Sequence, residues 1–284
     1  MKKEVLEKRQ RILGDEHPDT IRAMNNLANT LSDQGKLDEA VSMKKEVLEK
    51  MQRILGNEHP ATITAMSNLA TTLSGQGKLD EAASMMREVL EKRQWILGDE
   101  HPDTISAMNN LAITLGGQGK LDKAASMEKE VLEKRQRILG DEHPATIMAM
   151  NNLAITLGDQ GKLDEAASMK KEVLKKMQRI LGNEHPDTIS AMNNLANTLG
   201  DQGKLDEAAS MKKEVLEKRQ RILGDEHPDT IRAMNNLAAM LRDQGKLDEA
   251  IGPPDVSTTK KQPFLKRVTG KLQKVRNSYR FSAN

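Results

Sequence analysis

Apolar residues recur along most of this chain at the spacing of a helix face, and glycine interrupts the spacing at regular points. In the first such unit, one stripe runs from Pro18 to Gln34 and a second from Leu37 to Leu55, with a "QGK" turn between them. The first stripe consists of Ile21, Met24, Leu27, Ala28 and Leu31, and the second of Leu37, Ala40, Met43, Val47, Leu48, Met51 and Ile54. We predict two amphipathic helices, A and B, and Gly56 supplies the left-handed stop typical of a helix C-terminus.

The same pair of stripes returns with a period of 42 residues. His-Pro pairs mark the period, with histidine at positions 17, 59, 101, 143, 185 and 227. A fixed period of this length is typical of a solenoid that is built from one supersecondary unit. We therefore divide the chain into a partial repeat with helix B only (1–14), five full repeats (15–224), a truncated sixth repeat (225–251), a linker (252–263) and a basic tail (264–284).

Recurring motifs give the unit a family resemblance. "NNLA", "QGKLDEA" and "LGDEHP" recur in that order over residues 1–251, and the small residues Ala28 and Ala40 stand where two helices must approach closely. The unit resembles the tetratricopeptide repeat of kinesin light chains and of related fungal and bacterial arrays. The resemblance implies an all-α fold, a right-handed α-solenoid of antiparallel helix pairs (a tetratricopeptide superhelix), whose A helices line a concave groove that binds extended peptides.

One departure from the family pattern concerns packing. The usual repeat carries a large aromatic late in helix A and another in helix B, whereas this chain has Leu31 and Lys44 there. Trp95 is the one aromatic residue before the tail. We expect softer packing that is rich in methionine.

The acids and histidine of "LGDEHPDT" (13–20) raise the hypothesis of a catalytic or metal site. Equivalent positions of stacked helix pairs lie about 10 Å apart, and no repeat contains a second histidine or a cysteine. A structural interpretation explains each residue better: Gly14 ends one helix, Pro18 fits the first turn of the next, and acids favour a helix N-terminus. We predict no catalytic residues, no metal, no cofactor and no enzyme activity.

Composition and charge limit the location and the partners of the protein. There is no cysteine, and no apolar run is long enough to span a membrane, so we expect a cytoplasmic protein. The net charge is +7 from Gly252 onward and −5 before it. No nucleic-acid partner is expected, and a membrane or acidic partner is expected only through the basic segment 264–280.

The repeats differ from one another along one stripe of helix A. In the first repeat these variable positions are those of Asp19, Arg22, Asn25, Asn29, Ser32 and Asp33, within an arc of about 140° opposite the apolar stripe. In mid-array the stripe becomes apolar at Ile113, Met148 and Ile155, which neutral drift of a solvent-facing surface does not favour. The remaining candidate groove residues on this stripe are Arg22, Ser106, Asn197 and Arg232.

An asparagine that never changes lies in the middle of the stripe. This asparagine ladder comprises Asn26, Asn68, Asn110, Asn152, Asn194 and Asn236. Its amides can hold the main chain of an extended peptide, as the family resemblance implies, or they can join neighbouring repeats by interhelical hydrogen bonds. Both interpretations stay open at the level of sequence.

The tail has three competing interpretations. Phe264, Val268, Leu272, Val275 and Tyr279 lie on one face of a predicted basic helix. It either caps the truncated sixth repeat, binds an acidic membrane surface or a calmodulin-like groove, or stays disordered. If it is a cap, deletion of 252–284 lowers stability.

The principal functional hypothesis is a non-enzymatic protein-protein interaction scaffold with a protein or peptide ligand in the groove. The alternative is a C-terminal sensor array of a nucleotide-binding signalling or immune-type receptor, which resembles the fungal arrays. Residues 1–28 are identical to 211–238, which suggests a segment of a longer gene product; end-to-end self-association is a further expectation.

Overall fold

The computed structural model describes residues 2–243, which form twelve helices and no strand. The A helices are the even-numbered ones: α2 Pro18–Asp33, α4 Pro60–Gly75, α6 Pro102–Gly117, α8 Pro144–Asp159, α10 Pro186–Asp201 and α12 Pro228–Asp243. The B helices are α1 Lys2–Leu13, α3 Leu37–Leu55, α5 Leu79–Leu97, α7 Leu121–Leu139, α9 Leu163–Leu181 and α11 Leu205–Leu223. The predictions for the linker 252–263 and the tail 264–284 lie outside the described residues.

The helices form two compact units, Met1–Gln160 and Gly161–Asn284. Within each unit every helix packs against the next helix along the chain, and short turns make consecutive helices antiparallel. In the first unit α6 also contacts α4 and α8, so neighbouring A helices lie side by side. This arrangement confirms the predicted all-α solenoid of helix pairs. No helix within residues 2–243 is both long and apolar enough to cross a membrane.

The His-Pro motif begins each A helix. His17 has an extended backbone, and its Nδ1 accepts a hydrogen bond from the N–H of Asp19 at 3.1 Å. Pro18 follows as the first helical residue, where its missing N–H has no intrahelical partner to lose. The same cap is present at His59, His101, His143, His185 and His227. The histidine is therefore an N-cap residue, a role that the sequence left open.

Glycine ends both helices of the unit. Gly35 has φ of +76°, its N–H donates to the carbonyl of Ser32, and the N–H of Lys36 donates to that of Leu31 at 2.9 Å. This is the Schellman arrangement, which satisfies two carbonyls at the end of α2 and turns the chain into α3. Gly56 has φ of +85° and ends α3.

The core consists of the predicted apolar stripes. Ala28 and Ala40 are fully buried and their counterparts in the following repeats are buried, which lets the two helices approach closely. Methionine contributes to the core at Met24, Met66 and Met86, as expected from the lack of aromatics. One assignment was wrong: Ile54 is 41% exposed, and its counterparts Ile96 and Ile138 are similarly exposed. Trp95, in the same terminal turn of α5, is 88% exposed and adds nothing to the core.

Candidate functional site

The candidate groove residues lie on the outward-facing side of the A helices. Asn26, Arg22, Asn197 and Arg232 are exposed, and Ser106 is half-buried. The other members of the asparagine ladder are also half-buried: Asn68, Asn110, Asn152, Asn194 and Asn236. The first unit contains the candidates up to Ile155, and the second unit contains Asn194, Asn197, Arg232 and Asn236. All of them are at least partly accessible to a ligand.

An apolar patch is formed by Ile113, Met148 and Ile155, in the first unit. The three side chains are exposed by 49%, 58% and 41% respectively. Ile113 lies on α6 and the other two on α8, and these two helices are in contact. They are the large exposed apolar side chains of the A helices of this unit. Since exposed apolar residues elsewhere in this unit fall on the B helices, the apolar patch is a local feature of the A-helix stripe.

One side-chain amide of the asparagine ladder makes a described hydrogen bond to another repeat. The Asn152 Nδ2 donates to Oδ1 of Asn109 at 3.1 Å, and Asn109 is buried. This bond joins α8 to α6, as the interhelical interpretation expects at this position. It uses one of the two N–H groups of the Asn152 amide.

The arginines of the stripe are paired with acids on their own helices. Arg22 contacts Asp19 at 2.5 Å, and Arg232 contacts Asp229 at 2.5 Å. These pairs are exposed, so each contributes little to stability, in the range of about 0–1 kcal/mol. Their positive charge is already offset locally, which removes a reason to expect selection of acidic peptides.

A column of mostly buried residues on helix B lies beneath the stripe, and sequence analysis missed its role. This inner column comprises Lys44, Met86, Glu128, Lys170 and Lys212. All are buried except Lys170, which is half-buried. In the sequence, Lys44 stands out only because it occupies a position where the family usually has an aromatic residue. The signal that could have revealed the column is a recurring threonine. It stands at the corresponding position of the next A helix in four of the five cases.

The tips of the inner column bond to the A helices. Lys44 Nζ donates to Thr72 Oγ1 at 2.7 Å, and Lys170 Nζ donates to Thr198 Oγ1 at 2.7 Å. The Thr156 hydroxyl acts on the Glu128 carboxylate at the equivalent place. Where α12 has methionine instead of threonine, Lys212 Nζ contacts Oδ1 of Asn197, a groove candidate, at 2.5 Å. The column therefore ends directly under the stripe.

Burial sets the electrostatics of the inner column. It lowers the pKa of Lys44, and Asp33 partly opposes the change. The pKa of Lys212 is likewise lowered by burial and partly restored by Asp201. Burial raises the pKa of Glu128; the Thr156 hydrogen bond opposes this change and Asp159 adds to it. These side chains are the strongly desolvated charged groups next to the candidate groove.

Ion pairs connect the His-Pro joints to the last turns of the B helices. Arg53 contacts Glu16 at 2.6 Å, and Arg137–Glu100 and Arg221–Glu184 are the equivalent pairs. Trp95 replaces the arginine in one repeat, and Lys92 contacts Glu58 at 2.5 Å instead. Across residues 2–243, no three metal-ligating side chains come together.

Comparison with known proteins identifies the repeat. Two family profiles, both described as tetratricopeptide repeat, match the chain: the first at residues 2–52, 30–94, 129–178, 160–220 and 187–252, and the second at 104–145. No match is found among curated protein sequences.

Solved structures with the same fold include kinesin light chain-like repeat proteins. Two crystal structures of a Podosopora anserina kinesin light chain-like protein with nearly identical TPR-like repeats, one of them a variant, are each 24% identical to this chain. They have TM-scores of 0.63 and 0.62 and cover 72% and 73% of this chain and 97% and 98% of their own. BtubC (BKLC) of P. vanneervenii is 23% identical, with a TM-score of 0.64, over 84% of this chain and 92% of its own. Since the family profiles match most of residues 2–252, the chain belongs to the tetratricopeptide repeat family.

Proposed function

We propose that this protein is a non-enzymatic interaction scaffold that binds an extended peptide on the A helices of its first unit. The observation that supports the proposal is the apolar patch of Ile113, Met148 and Ile155. At these positions the other repeats carry mainly asparagine, serine and threonine, so the patch is a local change on an otherwise polar stripe. An apolar patch on a polar surface is typical of a binding site.

The size of the patch allows an estimate of its share of the affinity. Full burial of a large apolar side chain contributes about 1.5–3 kcal/mol, and these three are about half exposed in the free protein. Complete coverage by a ligand then adds about 1 kcal/mol for each side chain. Together they correspond to a change in Kd on the order of 100-fold.

Residues from the chain itself provide the test. The triple variant I113N, M148S and I155N places at each site the residue that Asn29, Ser106 and Asn197 hold in other repeats. Twelve-residue peptides are first selected from a random phage-displayed library on the wild-type protein. We expect the triple variant to weaken their binding by on the order of 100-fold, with an unchanged circular dichroism melting curve.

A matched control removes an exposed apolar residue from a B helix instead of an A helix. W95R introduces the arginine that Arg53, Arg137 and Arg221 provide at equivalent positions, and it should leave the binding of the selected peptides intact. The proposal is wrong if no peptide can be selected, or if W95R and the triple variant weaken binding equally.

Two members of the asparagine ladder separate its two roles. Asn152 bonds to Asn109, whereas no side-chain bond of Asn110 is described among residues 2–243. We expect N152A to lower the free energy of unfolding by about 1 kcal/mol. N110A should weaken peptide binding with little change in stability. Loss of stability without loss of binding in N110A would instead assign the ladder to repeat packing.

A further inference from the structure

Glu128 is a buried acid without a complete set of partners. The residue is 3% exposed, and its Oε2 is buried with no hydrogen-bond partner among residues 2–243. The Thr156 hydroxyl lies near enough to the Glu128 carboxylate to oppose the rise in its pKa. An unpaired carboxylate oxygen in a buried position is costly, so the site is electrostatically incomplete.

The equivalent sites of other repeats contain their own cation. Lys44 and Lys212 occupy the position of Glu128, and each is acted on by an aspartate of its own repeat, Asp33 or Asp201. The described charge that acts on Glu128 is that of a second acid, Asp159. Charges of opposite sign thus act on each other at two sites of the inner column, whereas the described charge that acts on Glu128 has the same sign as its own carboxylate.

The charges at the two positions change together along the chain. Lysine occurs in the inner column wherever the same repeat carries an aspartate at the end of helix A: Asp33 with Lys44, Asp159 with Lys170 and Asp201 with Lys212. Glycine at that place accompanies uncharged Met86 or acidic Glu128, as Gly75 and Gly117 respectively. Each lysine repeat therefore supplies both charges, and the Glu128 repeat supplies no cation.

The equivalence of the repeats relates the tip of the inner column to the apolar patch. Lys212 Nζ reaches Asn197, which is the counterpart of Ile113 and Ile155 on its own A helix. Thr156, which acts on the Glu128 carboxylate, follows Ile155 on α8, and Asp159 lies one turn further along that helix. A ligand that covers the patch therefore comes close to the carboxylates of Glu128 and Asp159.

We propose that Glu128 and Asp159 receive the ammonium or guanidinium group of a lysine or arginine side chain of the bound peptide. This inference rests on the proposed function and specifies its ligand: a peptide with a basic residue between apolar ones. The ligand cation takes the place that lysine occupies in the neighbouring repeats. The Glu128 side chain turns toward the stripe to meet it, and any proton that it carries is released to solvent.

Paired peptides and variants test the inference. The probes are synthetic twelve-residue peptides with apolar flanks and a central lysine, together with analogues that carry norleucine or glutamate instead. We expect the wild-type protein to bind the lysine peptide at least 10-fold more tightly than the norleucine peptide. Calorimetry in buffers of different ionisation enthalpy should detect proton release with the lysine peptide only.

The variants use residues that the inner column already accommodates. E128M introduces the residue that Met86 provides at the equivalent position, and it should remove the preference for lysine and keep the affinity for the norleucine peptide. E128K, as in Lys44, should reverse the preference toward the glutamate peptide. D159G, as in Gly75, should reduce the preference without abolishing it.

The outcomes separate this inference from the proposed function. Equal affinity of the wild-type protein for the lysine and norleucine peptides, with both weakened by I113N, M148S and I155N, overturns the cation site and leaves the groove intact. Failure of all peptides to bind overturns both. Displacement of the lysine peptide by an equal concentration of spermidine would also contradict the inference, because the cation would then need no peptide.

Discussion

Lys44, Glu128 and Lys212 are charged side chains on B helices that are less than a tenth exposed. Lys44 donates a hydrogen bond to the next A helix and Lys212 to that of its own repeat, and the Thr156 hydroxyl of the next A helix acts on Glu128. Burial of a charge costs free energy unless a partner replaces the hydrogen bonds and solvation that water supplied. Glu128 has the least complete set of partners of the three, and the free energy of folding should depend on its protonation.

Replacement of Glu128 should change the pH dependence of stability. The folded-state pKa of Glu128 is raised above its usual 4.5. The contribution of Glu128 to the free energy of unfolding is therefore fully present below pH 4.5, and it is lost as pH rises through the folded-state pKa. E128M removes this loss. We expect the variant to be more stable than the wild type by about 1–2 kcal/mol at pH 7, with the difference shrinking toward pH 4.

Urea unfolding at a series of pH values measures this effect. E133Q, at an exposed position of α7, serves as the control and should follow the wild-type pH profile. A constant difference between E128M and the wild type at all pH values would show that packing, rather than ionisation, is responsible.

At the scale of the element, each helix has its own start and stop signals. A histidine N-cap and a proline begin the A helices, and a glycine with positive φ follows both kinds of helix. The last turn of the A helix is less uniform, because serine at positions 32 and 74 becomes Gly116, Gly158 and Gly200 in later repeats. These glycines have helical backbones, so no turn with positive φ requires them, and they lower the stability of the helix.

Alanine at two of these glycines should have different effects. A Cβ at Gly116 would lie 3.9 Å from that of Ala124, an ordinary contact, whereas at Gly200 it would lie 2.9 Å from the Met240 methyl. We expect G116A to raise stability by about 0.5 kcal/mol and Tm by about 1–2 °C. G200A should gain less, because Met240 must move. Differential scanning calorimetry of the pair tests this; an equal gain would contradict the role of Met240.

At the scale of the whole molecule, the two units are each built by contacts between neighbouring helices. Solenoid stability is close to a sum of repeat terms and nearest-neighbour terms. In the first unit Leu69 and Leu111 are buried, whereas Leu27, at the same position of the first A helix, is only half-buried. The contribution of an equivalent leucine to stability therefore depends on its position along the array.

Leucine-to-alanine changes at two equivalent positions measure that contribution to stability. L111A should lower the free energy of unfolding by about 2–4 kcal/mol, and L27A by about half as much, because the cavity at Leu27 is already open to solvent. Guanidinium unfolding followed by circular dichroism gives both values. Equal losses would argue against a larger packing contribution in the interior of the array.

Much of the fold and part of the candidate site could be predicted from the sequence. The helices begin and end within a residue or two of the predicted positions, because caps, glycine turns and apolar spacing are local signals. The exposure of Ile113, Met148 and Ile155 also followed from their place on the face opposite the core stripe. The peptide-binding role of that face stays a prediction.

The remaining features depend on residues that are distant in the chain. The burial of Lys44 requires α4, whose Thr72 lies 28 positions away, and the bond between Asn109 and Asn152 spans 43 positions. The exposure of Ile54 and Trp95 likewise depends on which helices pack against the last turn of helix B. By itself, the sequence determined the repeat, its helices and their outward face, since these follow from contacts within a few residues. Only the tertiary structure decided which polar side chains are buried between repeats, because that depends on the helices that pack around them.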